Sequence, residues 1–187
     1  LQLRLGLMPV LRIGTGFRMV WKGRKAEAGA MGEITPYAAL MTALAATVAP
    51  VRLPGLRFAV IEGFLALVPE GDETELGTLA AKVVRGLDPF RAPPSEDEIA
   101  RRRPERLSER QRTYLAEWGY PYVMEEFRFH LTLTGSLPPD EGQATKAVLS
   151  DWLGPVLPRP FVVGDLCLFG EAADGMFRIL HRYPLSA

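Results

Sequence analysis

The sequence has little cysteine and little histidine: one cysteine and two histidines stand among its 187 residues. The single cysteine, Cys167, excludes an intrachain disulfide and a cysteine-based zinc site, and it gives no sign of an oxidising compartment. In its apolar strand we expect Cys167 to be buried and inert. No apolar run reaches the roughly 18–20 residues that cross a bilayer. The sequence therefore predicts a cytoplasmic protein without a membrane partner.

Net charge is also missing, since 22 lysines and arginines balance 22 aspartates and glutamates. This balance argues against a general nucleic-acid surface or a surface for anionic membranes, and it is compatible with a local basic cleft. With 48% hydrophobic and 24% charged residues, the chain is typical of a folded globular protein. Its length fits one sizeable core, or two small lobes that share an interface.

Local signals predict alternating helices and strands from Thr35 onward. Thr35 is a candidate N-cap with Pro36 at the first helical position, and Pro50 ends this helix. Two capping boxes are predicted at the starts of short helices: Ser95 with Glu98, and Ser108 with Gln111. Helices are predicted over 36–49, 73–86, 96–103, 108–118 and 140–153, and strands over 56–62, 64–68, 126–134, 161–169 and 177–183. Residues 14–25 are interpreted as a hairpin or an edge strand.

An internal repeat predicts the architecture. Residues 153–169 can be laid on residues 48–64 without a gap, because both contain a helix end, Pro-Val, a short loop and a strand ending in Phe. The repeat favours an α+β fold with two pseudo-symmetric β-α-β-β lobes, whose antiparallel sheets surround a central cleft with helices outside. The predicted division of the single domain 1–187 is a first lobe at 1–70 with an atypical start over residues 1–33, a helical linker or insertion at 71–119, and a second lobe at 120–187.

The stretch EFRFHLTLTG, residues 126–135, holds one of the two histidines and alternates strictly between apolar and polar residues. A strand turns successive side chains to opposite faces. The alternation places Phe127, Phe129, Leu131 and Leu133 on one face, and Arg128, His130, Thr132 and Thr134 on the other. The second face is a row of hydrogen-bond donors with a titratable base, which indicates a polar ligand in front of it.

The residues His130-Leu131-Thr132-Leu133 fit the pattern His-x-Thr-x with x apolar, and so resemble the motif of the 2H phosphoesterase superfamily. These are the two-histidine cyclic phosphodiesterases related to bacterial RNA 2′,5′-ligase-like proteins. The longer run RRRPERLSERQRTYLAEWGYPYVMEEFRFHLTLTG resembles DUF1045, a bacterial group of 2H proteins associated with phosphonate metabolism. The resemblance covers roughly residues 38–183, including LRFAVIEGFLALVP and the closing RYPL.

The resemblance implies a chemistry for this strand. In 2H enzymes each lobe supplies one His-x-Thr strand, and the two imidazoles flank a phosphodiester as general base and general acid. On this sequence His130 would be the acid or base, and the Thr132 hydroxyl would hold a phosphate oxygen. No metal or other cofactor is implied, because positioned acids, bases and donors carry this chemistry. Arg128 and Thr134, which share the face, are candidate substrate-binding residues from the alternation alone.

The first histidine of the family is missing, because residues 1–129 contain no histidine. The gap-free repeat alignment places Lys25-Ala26-Glu27-Ala28 where the first His-x-Thr-x should be. Three explanations stay open, in this order. The N-terminal region belongs to a truncated or altered chain, as the start at Leu1 without an initiator methionine suggests. Alternatively the first lobe has lost its catalytic residue and kept a binding role, or another group such as Lys25 serves instead.

Other candidates have both a functional and a structural interpretation. His181 alternates with Phe177, Ile179 and Tyr183, which favours a structural place on the last strand. Tyr120 and Tyr122 are candidates to stack on a base or ribose, or they are hydrophobic plugs under the turn. An arginine cluster either borders the cleft or belongs to a solvated helical surface with interleaved glutamates: Arg101–Arg103, Arg106, Arg110 and Arg112.

The sequence thus leads to one function and one alternative. The first is a metal-independent phosphoesterase-like protein that acts on a small cyclic phosphodiester, a nucleotide or ribosyl cyclic phosphate, with the link to phosphonate metabolism given by resemblance. The alternative is a catalytically impaired module of the same fold that binds a phosphate or nucleotide. Either way the expected partner is a small phosphorylated molecule, and the sequence leaves the oligomeric state open.

Overall fold

A computed structural model describes residues 31–91, 93–171 and 176–187. The interpretation of residues 14–25 and the candidate Lys25 lie outside the described residues. Within them the helices are α1 Met31–Ala45, α2 Thr74–Leu87, α3 Glu96–Arg101, α4 Glu109–Trp118 and α5 Pro139–Leu153. The strands are β1 Val51–Leu53, β2 Leu56–Ile61, β3 Phe64–Pro69, β4 Leu131–Ser136, β5 Phe161–Val163, β6 Asp165–Glu171 and β7 Phe177–Pro184. All the strand pairs described are antiparallel, which confirms the predicted α+β class.

The β2–β3 hairpin confirms the predicted turn at Gly63. Ile61 lies opposite Phe64, so the loop has two residues, Glu62 and Gly63. Both have positive φ, 47° and 88°. This is the conformation of a type I′ turn, whose twist matches that of the flanking strands and which favours glycine.

Strand β4 extends this hairpin into a three-stranded sheet of order β2-β3-β4. Leu131 lies opposite Leu67 and Thr132 opposite Ala66, and the register shifts between Phe64 and Ala66. The predicted second lobe therefore contributes a strand to the hairpin of the predicted first lobe. The lobe boundaries and their pseudo-symmetry stay predictions.

The same order of elements, a helix, a three-residue strand and a hairpin, occurs in α1-β1-β2-β3 and in α5-β5-β6-β7. By this order Val51 and Phe161 are equivalent, whereas the gap-free repeat alignment paired Leu56 with Phe161. Strands β1 and β5 pair with each other, with Val51 opposite Val163. The single strand predicted over 161–169 is wrong, because Gly164 separates β5 from β6 and its carbonyl instead accepts a hydrogen bond from Leu185.

The core is built around α2. Its buried residues recur at helical spacing and face one side: Leu76, Leu79, Ala80, Val83, Val84 and Leu87. They join the buried side chains of α1, of β2 and β3, and of β5 and β6 in one cluster. Within the described residues, no helix is long and apolar enough to cross a membrane.

The predicted helix starts are confirmed at α3 and α4 and wrong at α1. Both capping boxes form, with Ser95 and Ser108 as the N-caps. Helix α1 begins at Met31, so Thr35 lies inside it rather than at its cap. Pro36 also lies beyond the first turn of this helix, where it provides no N–H for a backbone hydrogen bond. The helix ends at Ala45, whereas the prediction extended it to residue 49. After Ala45 the Thr47 amide donates to the Leu44 carbonyl in a tighter turn.

Candidate functional site

The segment that leads into β4 is a turn rather than the start of a strand. The chain makes a short 3-10 turn at Met124–Glu126, and β4 begins only at Leu131. The predicted strand start at residue 126 is therefore wrong. The reason lies in the local hydrogen bonds: Arg128 and His130 both bond to backbone carbonyls of their own segment, which replaces a ladder with β3.

The predicted division into an apolar and a polar face is present along this segment. Phe129 is buried, and its ring lies 5.7 Å from the Phe161 ring. Leu131 and Leu133 pack against the main core. On the opposite side Arg128 and Thr132 are exposed, and His130 is half-buried. The core contacts of the apolar residues thus direct the polar ones outward.

His130 is held in one tautomer by a hydrogen bond to the backbone. Its Nδ1 lies 2.9 Å from the carbonyl oxygen of Arg128. A carbonyl oxygen can only accept, so Nδ1 carries a hydrogen, and in the neutral ring Nε2 holds the lone pair. The ring also packs against Phe64, with 5.7 Å between ring centroids. Nε2 has no hydrogen-bond partner among residues 31–91, 93–171 and 176–187, so it is available to a ligand.

The two threonines of β4 differ in what their hydroxyls contact. Thr132 is exposed, and its hydroxyl has no hydrogen bond within the described part of the chain. The hydroxyl of Thr134 accepts from the Leu65 amide at 3.0 Å and donates to the Gly135 carbonyl at 2.8 Å. Thr134 therefore supports the irregular register between β3 and β4, and its one hydroxyl hydrogen already has an acceptor. Its role in binding substrate stays a prediction.

Arg128 is partly engaged with the backbone. Its Nη1 donates to the carbonyls of Glu125 at 2.6 Å and Phe127 at 2.8 Å. Its Nε and Nη2 make no hydrogen bond to any residue that the structure describes. The guanidinium is thereby anchored at one nitrogen and keeps hydrogens on the other two for an anion.

Helix α4 is fastened to the turn before His130 through Glu125. The Glu125 carboxylate accepts from Arg110 Nε at 2.6 Å and from the Tyr114 hydroxyl. Gln111 donates to Glu126 at 2.9 Å. The hydrogen bonds from Tyr114 and Arg110 lower the pKa of Glu125 to about 2. Sequence reasoning missed this contact, because residues 110–114 and 125 are joined only by the folded chain.

Replacing Glu125 with glutamine is expected to destabilise the protein in a pH-dependent way. A depressed carboxyl pKa adds stability above the unfolded-state pKa near 4.5, and this stability is lost as pH falls toward about 2. The difference in melting temperature between the parent and Glu125→Gln should therefore be largest near neutrality and shrink between pH 4.5 and 2. Glu117→Gln, at an exposed position of α4, is the matched control and should change the melting temperature little. A constant difference across this pH range would contradict the assignment.

The predicted residues Tyr120, Tyr122 and His181 contact aromatic or arginine side chains other than those around His130. Tyr120 packs against the core, the Arg102 guanidinium lies 4.6 Å from its ring centroid, and Tyr122 meets it edge-on at 5.7 Å. Burial raises the pKa of Tyr120. The exposed ring of Tyr122 is the one of this pair that a ligand could reach. His181 lies against Tyr183, with 4.5 Å between centroids, and no contact joins it to His130 in the described residues.

Two arginines of the predicted cluster contact their own segment, whereas Arg102 contacts Tyr120 and Arg110 contacts Glu125. Arg101 donates to the Asp97 carbonyl and Arg112 to the Leu107 carbonyl. Cys167 is buried as predicted, and its thiol donates to Asp165, which also pairs with Arg182. Within the described ranges, no three His, Cys, Asp or Glu side chains are grouped as metal ligands would be.

The structure also brings Arg57 to the polar face, which sequence reasoning missed. Strands β2 and β4 both run antiparallel to β3, so they run in the same direction. Ala59, Ala66 and Thr132 form one row across the sheet. Arg57 precedes Ala59 by two residues within β2, so it returns to the face of Ala59 and Thr132. Alternation on β2 could have assigned Arg57 to one face of its strand, but it could not show that Thr132 shares this face.

These features define an α+β protein with a polar segment at the start of β4 that carries a histidine of fixed tautomer, an exposed threonine hydroxyl and a partly engaged guanidinium. Residues 33–178 match the model of the family described as a protein of unknown function, DUF1045. The chain belongs to this family.

Two curated relatives carry the same name, ribose 1,5-bisphosphate phosphokinase PhnN. The protein of Janthinobacterium sp. (strain Marseille) is 42% identical over 139 residues, which are 72% of this chain and 31% of the relative. The protein of Laribacter hongkongensis (strain HLHK9) is 37% identical over 81 residues, 42% of this chain and 18% of the relative. The chain therefore spans less than a third of the length of these relatives.

Proposed function

We propose that this protein is a metal-independent phosphoesterase of the 2H type that opens a small cyclic phosphodiester. One observation carries the proposal: the half-buried His130 Nε2 and the exposed Thr132 hydroxyl, two residues apart at the start of β4, have no hydrogen-bond partner in the described chain. Polar groups that are held in place and left unpaired are typical of a binding site prepared for a polar ligand.

The proposed reaction uses the geometry of His130. Water attacks the phosphorus atom, and its proton passes to Nε2, while Nδ1–H stays bonded to the Arg128 carbonyl and fixes the ring. One ester bond between phosphorus and a ribose oxygen breaks, and that oxygen takes a proton from water. The product is a phosphomonoester. Thr132 and Arg128 donate hydrogen bonds to the non-bridging oxygens, whose charge grows during attack.

A ribosyl cyclic phosphate is the favoured substrate class. The two curated relatives are named for ribose 1,5-bisphosphate. Opening a 1,2-cyclic phosphate of ribose at O2 gives a ribosyl 1-phosphate, which has the phosphate of that compound at carbon 1. The resemblance to the DUF1045 group adds the proposed link to phosphonate metabolism.

The second candidate is a binding module that holds the same phosphate without turnover. The absence of any histidine from residues 1–129 favours it, because the 2H mechanism uses two imidazoles. Its ligand contacts would be the same, namely Arg128, His130 and Thr132.

One experiment distinguishes the phosphoesterase from the binding module. The protein, treated with a chelator, is incubated with 2′,3′-cyclic nucleotides and ribosyl cyclic phosphates and followed by phosphorus NMR. The enzyme is expected to give a new monoester resonance, and the module is expected to give saturable line broadening of the cyclic phosphate without product. If neither spectral change is observed, both candidates are refuted.

Replacing Thr132 with valine is expected to weaken the enzyme or the module by about 10- to 100-fold, because a hydrogen bond to a charged oxygen contributes about 1.5–3 kcal/mol. The melting temperature should stay close to that of the parent. Thr134→Val is the matched control, and it should lower stability by about 1–3 kcal/mol because the buried Leu65 amide loses its acceptor. Kinetics or titration and thermal melts of both variants provide the comparison. An unchanged activity and affinity in Thr132→Val would remove this residue from the site.

A further inference from the structure

Two guanidiniums are contributed by the segments on either side of β3, one by β2 and one by the turn before β4. Arg57 lies on β2, two residues before Ala59, which is in the same row across the sheet as Thr132. Arg128 precedes His130 by two residues. Both side chains are exposed. Arg57 makes no hydrogen bond or ion pair with the residues that the structure describes, and Arg128 keeps Nε and Nη2 for further bonds.

The electrostatics of Glu73 indicate that these two charges act on one region. Burial raises the pKa of this carboxyl group, and the charges of Arg128 and Arg57 oppose the increase. Glu73 precedes α2, so three different segments contribute charges here. Two of these three groups are positive, and together the three attract an anion.

We infer that Arg57 and Arg128 form a subsite for a phosphomonoester, so that the substrate carries a terminal phosphate in addition to its cyclic phosphodiester. This inference rests on the proposed function and specifies its substrate class. A monoester near neutrality has a charge between −1.5 and −2 and three acceptor oxygens. A guanidinium presents donors in a planar fork that fits such a group. The cyclic diester, with a single negative charge, lies at His130 and Thr132.

The two phosphates of the substrate would contact different side chains. His130 and Thr132 contact the ester that reacts, and Arg57 contacts only the terminal phosphate. Arg128, with hydrogens left on Nε and Nη2, donates to either phosphate. The loss of Arg57 should therefore change the preference between substrates, whereas the loss of His130 should slow all of them.

The test compares two substrates that differ only in the terminal phosphate: adenosine 2′,3′-cyclic phosphate with and without a 5′-phosphate. The parent is expected to prefer the 5′-phosphorylated compound in kcat/KM. Arg57→Ala should reduce this preference by about 10- to 100-fold, the effect of losing a charge-assisted hydrogen bond. Its kcat/KM for the compound without the 5′-phosphate should fall far less. Arg52→Ala, an exposed arginine of β1, is the matched control and should keep the parent preference.

A binding measurement separates this inference from the proposed function. Ribose 5-phosphate carries a monoester and no cyclic ester, and its affinity is measured by titration calorimetry against parent and Arg57→Ala. Weaker binding in Arg57→Ala by the same factor supports the subsite even if no cyclic compound is turned over, and then only the phosphoesterase is refuted. Equal kcat/KM for the two cyclic compounds, or equal affinities of parent and Arg57→Ala for ribose 5-phosphate, would overturn the subsite and leave the phosphoesterase standing.

Discussion

Replacing His130 with glutamine is expected to slow the opening of the cyclic phosphate by about 10²–10⁴-fold, the usual contribution of a positioned acid or base. Glutamine keeps a donor for the Arg128 carbonyl, so the turn before β4 should stay intact, but its amide cannot take the proton from water. Initial rates of monoester formation, followed by phosphorus NMR, measure the effect. If the protein binds without turnover, the same variants are compared through their dissociation constants.

The second histidine provides the control for this variant. His181 lies on β7 beside Tyr183 and has no contact with His130 in the described residues. His181→Gln is expected to keep the rate within a few-fold of the parent. An equal loss in both variants would show that the two imidazoles act together, and a full rate in His130→Gln would remove His130 from the chemistry.

Truncating Leu67 to alanine is expected to lower the free energy of unfolding by about 2–5 kcal/mol, because it leaves a cavity in the core. Leu67 is 1% exposed and lies in the middle strand of the sheet, opposite both Phe58 and Leu131. The cavity would also loosen the register that places Thr132 on the polar face. Urea unfolding of parent and variant, monitored by tryptophan fluorescence and circular dichroism, measures the change.

A neighbouring residue of the same hairpin serves as the matched control for Leu67. Val60 is 44% exposed, and Val60→Ala should change stability by no more than about 0.5 kcal/mol. A similar loss of stability in both variants would contradict the central place of β3 in the core.

The features predicted correctly from the sequence depend on residues close together in the chain. The hairpin turn needs only Glu62 and Gly63, and each capping box needs a serine and a residue three positions later. Helix α2 follows from the spacing of its own apolar residues. Such signals are local, so a single sequence is enough to find them.

The parts that the sequence did not predict depend on contacts between distant residues. The pairing of β4 with β3 brings Thr134 to Leu65, 69 residues away in the chain, and gives the Thr134 hydroxyl a backbone partner. The same pairing places Arg57 on the face of Thr132. The start of β4 was predicted too early because alternation does not reveal that Arg128 and His130 bond to nearby carbonyls.

The central claim is that the face with His130, Thr132 and Arg128 binds a phosphate ester, and imidazole NMR tests it most directly. The chain has two histidines, so a proton–nitrogen spectrum of the rings contains two spin systems that variants assign. On titration with adenosine 2′,3′-cyclic phosphate, we expect the Nε2 resonance of His130 to shift saturably while His181 stays unchanged. The free protein should show His130 protonated at Nδ1. A saturable shift confined to His181, or no shift at either ring, would contradict the assignment of this face as the site.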